Sequence, residues 1–406
     1  MQQTTAITNF IKRAARDAGF ELAGIAPVCD FHELKYFPEW IAAGRAGEMK
    51  YLEARDEAGE LKRASLRSTA PWARSVIVCA INYNTAHPYS TQVHSADRGW
   101  ISRYAWSRED YHDAVLSRLR TVEAKLQESI RGRAEEPEGD SRVAQRFSAA
   151  FPDPSPSAAS VAEIPAAQDQ FITRCYVDTG PLVERVYAKY AGLGWIAKNT
   201  CLINQQLGSW LFLGVILTSV ELTPDLPAPD RCGTCTRCID ACPTDALIAP
   251  YQLDSNLCIS YLTIEKRGEI PEQMREGIGR HVFGCDICQD VCPWNRKAPA
   301  TIAAEFQPRA GLVNPALAWL AEISTEEFRE TFRGSPIRRT KRVGLRRNAI
   351  LAMGNSGNQE FVPFLQNLTL DEDAVIAESA RWALGKLEAA HCGAASDATT
   401  QLRDSI

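Results

Sequence analysis

At 406 residues, 45% of them hydrophobic and 23% charged, the chain can bury two or three cores and is neither fibrous nor disordered in composition. A net charge of −5 excludes a generally basic, nucleic-acid-coated surface, though not a local basic patch. No apolar run approaches the ~20 residues of a membrane span. The longest strong one, "WLFLGVIL" from Trp210 to Leu217, suits a buried strand.

The N-terminal stretch reads as an amphipathic helix, with Ile7, Phe10, Ile11, Ala14 and Ala18 on one face and Gly19 at its end. It lacks the apolar core and cleavage site of a signal peptide, so a cytoplasmic protein is expected. "RSVIVCAINYN" (Arg74 to Asn84) predicts a buried strand, and Glu109 to Ile130 predicts a helix carrying Val115, Leu119, Val122 and Leu126 at helical spacing. Arg133 to Gln170 is rich in Pro, Ser, Ala and acid, as in a largely disordered insertion. Structure resumes with a strand, a turn at Asp178 to Pro181, a helix, a glycine-bearing end at Gly192 to Gly194, and the strand "SWLFLGVILTSVEL". Proline-rich Thr223 to Asp230 then links to a cysteine region. Beyond about Lys297 the chain turns helical. There "NAILAMG" at 348 and "SARWALG" at 379 align, which suggests two stacked HEAT-like helix pairs with a period shorter than the usual ~40 residues.

The cysteines carry the chemistry. Thirteen in a chain without an export signal argue for thiolates on metal, not disulfides. Cys232, Cys235, Cys238 and Cys242 form C-x2-C-x2-C-x3-C followed by Pro243. Cys258, Cys285, Cys288 and Cys292-Pro293 form a second group, with 26 residues between Cys258 and Cys285. Three closely spaced thiolates wrap one cubane while the fourth points to the neighbouring one. That rule assigns Cys232, Cys235, Cys238 and Cys292 to one 4Fe–4S cluster, and Cys242, Cys258, Cys285 and Cys288 to the other. The doubled Cys-Pro ending has no role in the alternative, a pair of structural zinc sites. The remaining cysteines (Cys29, Cys79, Cys175, Cys201 and Cys392) read mostly as small buried apolar residues. Neither G-x-G-x-x-G nor a P-loop is present, so no nucleotide fingerprint accompanies the clusters.

The runs "CGTCTRCIDACPTDAL", "GCDICQDVCPWN", "RYAWSREDYH" and "VDTGPLVERVYAKYAGLGWIAKNT", with the helical tail, resemble the epoxyqueuosine reductase family over nearly the whole chain outside 133–170. The resemblance implies a cobalamin-dependent, reductive-dehalogenase-like enzyme that removes the epoxide oxygen of epoxyqueuosine at the wobble position of tRNA. It implies an α/β (α+β) cobalamin-binding reductase domain over 1–226, a ferredoxin-like domain with two 4Fe–4S clusters over 227–300, a helical HEAT-like tRNA-binding domain over 301–395, and a flexible tail over 396–406. Asp178 matches the family's proton donor, against the alternative of a plain Asx turn. Arg63, Ser102, Asp178, Leu202, Leu213 and Ser260 fall at cobalamin-contacting positions, Ser102 where some members carry Cys. Both leucines would serve equally as core. Asp110 and His112 look functional, with Asp110 alternatively beginning a helix, and His112 is not expected to ligate cobalt.

For tRNA, the stretch Ile337 to Ala349 offers a basic stripe of Arg338, Arg339, Lys341, Arg342, Arg346 and Arg347. Arg185 and Lys266 would touch the anticodon loop, with the wobble base flipped into the site. The bland alternative for the stripe is a solvated helix face or charges paired with acids. An external low-potential electron donor and a monomer complete the expectation. Competing functions are a corrinoid dehalogenase of a small organohalide and a non-catalytic electron-transfer subunit.

Overall fold

A computed structural model describes residues 2–134 and 171–403. The bulk of the expected insertion (135–170) and the side chain of Cys392 lie outside the described residues.

Eight strands are present among the described residues: β1 (Leu22–Pro27), β2 (Ser75–Asn82), β3 (Trp100–Ile101), β4 (Thr173–Tyr176), β5 (Trp195–Ile196), β6 (Leu202–Ile203), β7 (Leu211–Thr218) and β8 (His281–Phe283). The main sheet runs β1-β2-β7-β4 with every pair antiparallel. Helices on both faces explain why β2 and β7 read as apolar runs without alternation. One face packs on the helices Gln2–Asp17 and Tyr111–Ala134 through Ile7, Ile11, Val115, Leu119, Val122 and Leu126. These are largely the residues that helical spacing selected. The other face packs on the helix Glu184–Tyr190 through Val186, Tyr187 and Ala188. Gly19 and Gly192 end their helices at φ +87° and +76°, where a side chain would be strained.

The proline-rich linker is pinned, not loose. Asp225 accepts from the Lys12 ammonium at 2.5 Å and from the Ile25 amide at 2.8 Å.

The cysteine region joins the rest through the segment between Cys258 and Cys285. That segment forms the helices Ile259–Ile264 and Glu272–Arg275 and then β8, which pairs in parallel with β3. The insertion in the ferredoxin-like pattern is therefore the seam of the molecule.

At the C-terminal end, the helices Lys341–Ser356 and Ala374–Arg403 pack against each other. The two aligned sequence segments meet at that contact: a Cβ on Gly354 would sit 2.7 Å from Ala383 Cα. The final helix runs through Arg403, past the tail boundary expected at 396.

Two of the six stripe residues are corrected by burial. Arg347 is 1% exposed and donates to the carbonyls of Leu262, Lys266 and Gly268 at 2.9, 3.0 and 2.6 Å. Arg346 is 6% exposed and bonds Asp371 and the Ala321 carbonyl. Both guanidiniums are spent on acceptors within the fold, so they serve the fold and not a phosphate. Arg338, Arg339 and Lys341 are exposed, and Arg342 is half-buried.

Candidate active site

Asp178 follows β4 in the left-handed region, at φ +57°. Asp is among the few side chains that tolerate this conformation. Three neighbours grip it. The buried Glu184 carboxylate accepts from the Asp178 amide at 2.8 Å, the Arg63 guanidinium donates to its carbonyl at 3.3 Å, and the Tyr111 hydroxyl donates to its carboxylate. Thr179-Gly180-Pro181 then lead the chain into the helix that Glu184 begins. The backbone is thus held while the Asp178 side chain stays 57% exposed and free to meet a ligand.

A second acid–base chain faces it. His112 Nδ1 lies 2.7 Å from Asp110 Oδ1, and its Nε2 lies 3.9 Å from Asp178 Oδ2. Burial disfavours the His112 cation, but the hydrogen bond and charge of Asp110, with the charge of Asp178, outweigh it and raise the His112 pKa. Glu184 is pushed well above the usual carboxylate range, first by burial and then by the Asp178 charge. Burial, followed by the same charge, also drives Tyr111 and Tyr104 upward and keeps both phenols protonated.

The eight cysteines fall in two neighbourhoods. Cys292 has Cys232 and Cys238 as charge neighbours, and Cys238 has Cys232 and Cys235. Cys285 has Cys258 and Cys242, and Cys288 has Cys285 and Cys258. All eight are free thiols. Burial, followed by the charge of Cys258, raises the pKa of Cys285 well above the usual thiol range. Burial lifts Cys79 to about 12, as expected for an inert core thiol. Cys201 departs from that expectation: its thiol lies beside Cys288 of the second group.

The two halves of the site are tied by Asp286, which sits between the ligands Cys285 and Cys288. Its buried carboxylate accepts from Trp100 Nε1 at 3.0 Å, Ser102 Oγ at 2.5 Å and the Arg103 amide at 2.8 Å. Tyr104 feels both Asp178 and Asp286. Asp178 and the second cysteine group therefore border a common region.

Other expected residues fall around it. Leu202 is buried in the core on one face of the sheet, and Leu213 is half-buried against the same core. Ser260 is half-buried two positions after Cys258. Arg185 donates to the Thr200 carbonyl at 2.7 Å, and Lys266 pairs with Glu48. Arg339 pairs with Glu265 and lies 5.1 Å from the ring of Tyr51, whose other neighbour is Arg63 at 5.9 Å. Sequence reasoning missed Tyr111, Glu184 and Asp286. Each stands inside a motif already singled out, beside a residue that drew the attention.

Two groups of four cysteines beside a held carboxylic acid fit the class of iron–sulfur oxidoreductases. Residues 231–295 match the family described as 4Fe-4S double cluster binding domain, and residues 63–138 match Epoxyqueuosine reductase QueG, DUF1730. The epoxyqueuosine reductase of Synechocystis sp. is 39% identical over 80% of this chain and 98% of its own length. That of Xanthomonas campestris is 34% identical over 93% and 95%. A solved epoxyqueuosine reductase with a tRNA-Tyr epoxyqueuosine-modified stem loop superposes with a TM-score of 0.76 at 29% identity, covering 94% of this chain and 90% of that one. The Bacillus subtilis enzyme, solved with its catalytic aspartate loop swung out of the active site, gives 0.75 at 28% identity with the same coverage. The chain belongs to the epoxyqueuosine reductase family.

Proposed function

We propose that this chain reduces epoxyqueuosine to queuosine at the wobble position of tRNA, with Asp178 as proton donor. The observation that carries the reading is the grip of Tyr111, Arg63 and Glu184 on Asp178, beside the second cysteine quartet. Removing an epoxide oxygen as water consumes two electrons and two protons. Cobalamin, when bound, supplies a strongly reducing Co(I) centre that the two 4Fe–4S clusters can regenerate one electron at a time.

The chain's own residues do the rest. Arg63, Asp178, Leu202, Leu213 and Ser260 would hold the corrin, with Ser102 as wall: its hydroxyl is committed to Asp286. Support for the fit comes from Tyr104, whose ring lies edge-on to Tyr111 at 5.9 Å and 5.9 Å from Phe283, two residues before Cys285. Asp178 delivers a proton to the leaving oxygen, and Tyr111 and His112 hold and resupply it. The C-terminal helices are read as HEAT-like pairs. Arg338, Arg339, Lys341 and Arg342 offer phosphate contacts, and Arg339 reaches the mouth of the site through Tyr51. Arg185 and Lys266 would meet the anticodon loop. The enzyme is read as a cytoplasmic monomer; among the described residues no helix is long and apolar enough to cross a membrane.

The test is anaerobic purification with cobalamin and an assay on an epoxyqueuosine-bearing stem loop. Corrinoid uptake with turnover is expected, and Asp178→Ala should keep the clusters and the corrinoid spectrum while losing turnover. Uptake without tRNA turnover would favour a dehalogenase. Absence of uptake would favour an electron-transfer subunit.

A further inference from the structure

The two cysteine quartets differ in what surrounds them. Around the second, Ile259 and Asp286 are buried, and Ile287 and Gln289 are half-buried. Around the first, Arg231, Gly233, Thr234, Thr236 and Arg237 are all exposed. Cluster one therefore lies against solvent, while cluster two faces the Asp178 region.

Basic side chains crowd that outer face. Arg237 and Arg296 line a groove with Asp240, Ala241, Asp290 and Val291, directly beside the ligands Cys238 and Cys292. Arg231 and Lys297 are exposed in the same two segments. None of these four cations is in a salt bridge among the described residues, although the chain as a whole carries −5. Asp290 is buried and bonded by the Ser90 hydroxyl, which leaves Asp240 as the groove's one exposed acid. A net positive rim over the exposed cluster of an acidic protein is a feature that steers an anionic partner.

We propose that the groove between Arg237 and Arg296, with Arg231 and Lys297 at its rim, is the docking surface for a small acidic one-electron carrier protein of the flavodoxin kind, delivering electrons to cluster one. The proposal rests on the two-cluster reading given above. In each encounter the carrier's reduced flavin loses one electron and cluster one gains it. Two encounters supply the two electrons that epoxide removal needs, and the two protons come through the active site.

The probe is reduced flavodoxin, compared with reduced methyl viologen, a small cation that needs no such surface. In the Arg237→Glu/Arg296→Glu variant, kcat/KM for flavodoxin should fall roughly tenfold or more at low salt, and the gap should close as salt screens the rim. Viologen-driven turnover, iron content and stem-loop affinity should stay at wild-type values. If charge reversal disturbs the clusters, Arg237→Gln/Arg296→Gln and the wild type's salt response carry the test. Flavodoxin-driven turnover should fall with salt and viologen-driven turnover should not. Flavodoxin kinetics indifferent to both variants and to salt overturn the proposal, as does a loss of stem-loop affinity in their place, which would make the rim a tRNA surface. A wild type that turns over with neither donor overturns the two-cluster reading along with it.

Discussion

The cysteine region and the Asp178 pocket are built in opposite ways. Seven of the eight cluster cysteines come from two tight motifs, 232–242 and 285–292, and only Cys258 arrives from elsewhere. The pocket draws Arg63 and Tyr111 from segments that meet the Asp178–Glu184 turn only in the folded chain. A ligand set held by local spacing survives rearrangement elsewhere, whereas a pocket held by long-range hydrogen bonds depends on every element that presents it.

The largest effect should come from the region with local logic. Cys288→Ala removes a thiolate from cluster two. Iron should fall from about eight per chain toward about four, and turnover should vanish. Full iron content would break the assigned ligand division. Next, Asp178→Asn should reduce single-turnover rate by about 10²–10⁴-fold, the usual range for a general acid, with iron and corrinoid spectra unchanged.

The seam between the regions is tested by stability. Arg347→Met leaves the carbonyls of Leu262, Lys266 and Gly268 without their buried donor. A loss of about 2–4 kcal/mol is expected by chemical denaturation. Exposed Arg338→Ala should change stability by less than about 0.5 kcal/mol.

A smaller effect separates positioning from chemistry. Glu184→Ala removes the acceptor of the Asp178 amide and should lower kcat about tenfold, leaving KM for the stem loop alone. Glu184→Gln keeps an acceptor and should restore most of the rate. Equal losses in both variants would mean that charge, not the hydrogen bond, matters.

The finest test is pH. His112 has a folded pKa above its unfolded value, so its stabilising contribution is complete below about 6.5 and is lost as pH rises through the raised folded pKa. Turnover that depends on protonated His112 should decline over that same window. Asp110→Asn removes the main opposing influence and leaves burial, so both the melting-temperature profile and the basic limb of kcat should move to lower pH. An unmoved limb would take His112 out of proton supply.

Much of this was legible before folding. The strand Ser75–Asn82 follows from its continuous apolar, β-branched run, and the helix from Tyr111 from apolar residues at the 3.6-residue period. The two cysteine motifs were legible from their spacing, and residues 231–295 match a 4Fe-4S double cluster binding domain. The basic stripe misled, because Arg346 and Arg347 look in sequence like Arg338 and Arg339, and only the packing of the helix Lys341–Ser356 turns one pair inward. Asp178, Asp110 and His112 were visible as motif residues. Their partners Tyr111 and Glu184 were not, since no local pattern says which phenol or carboxylate will face a residue more than sixty positions away or reach back across a turn.

By itself, then, the amino-acid sequence determined the main buried strands, the long helix from about Tyr111 and the two cysteine motifs, because those depend on neighbours a few bonds away. Tertiary structure alone decided which charges are buried, that the segment between Cys258 and Cys285 is the seam through β8 and β3, and that the Tyr111 hydroxyl meets the Asp178 carboxylate. These are contacts between distant segments, and they exist only once hydrophobic burial has brought those segments to the same place.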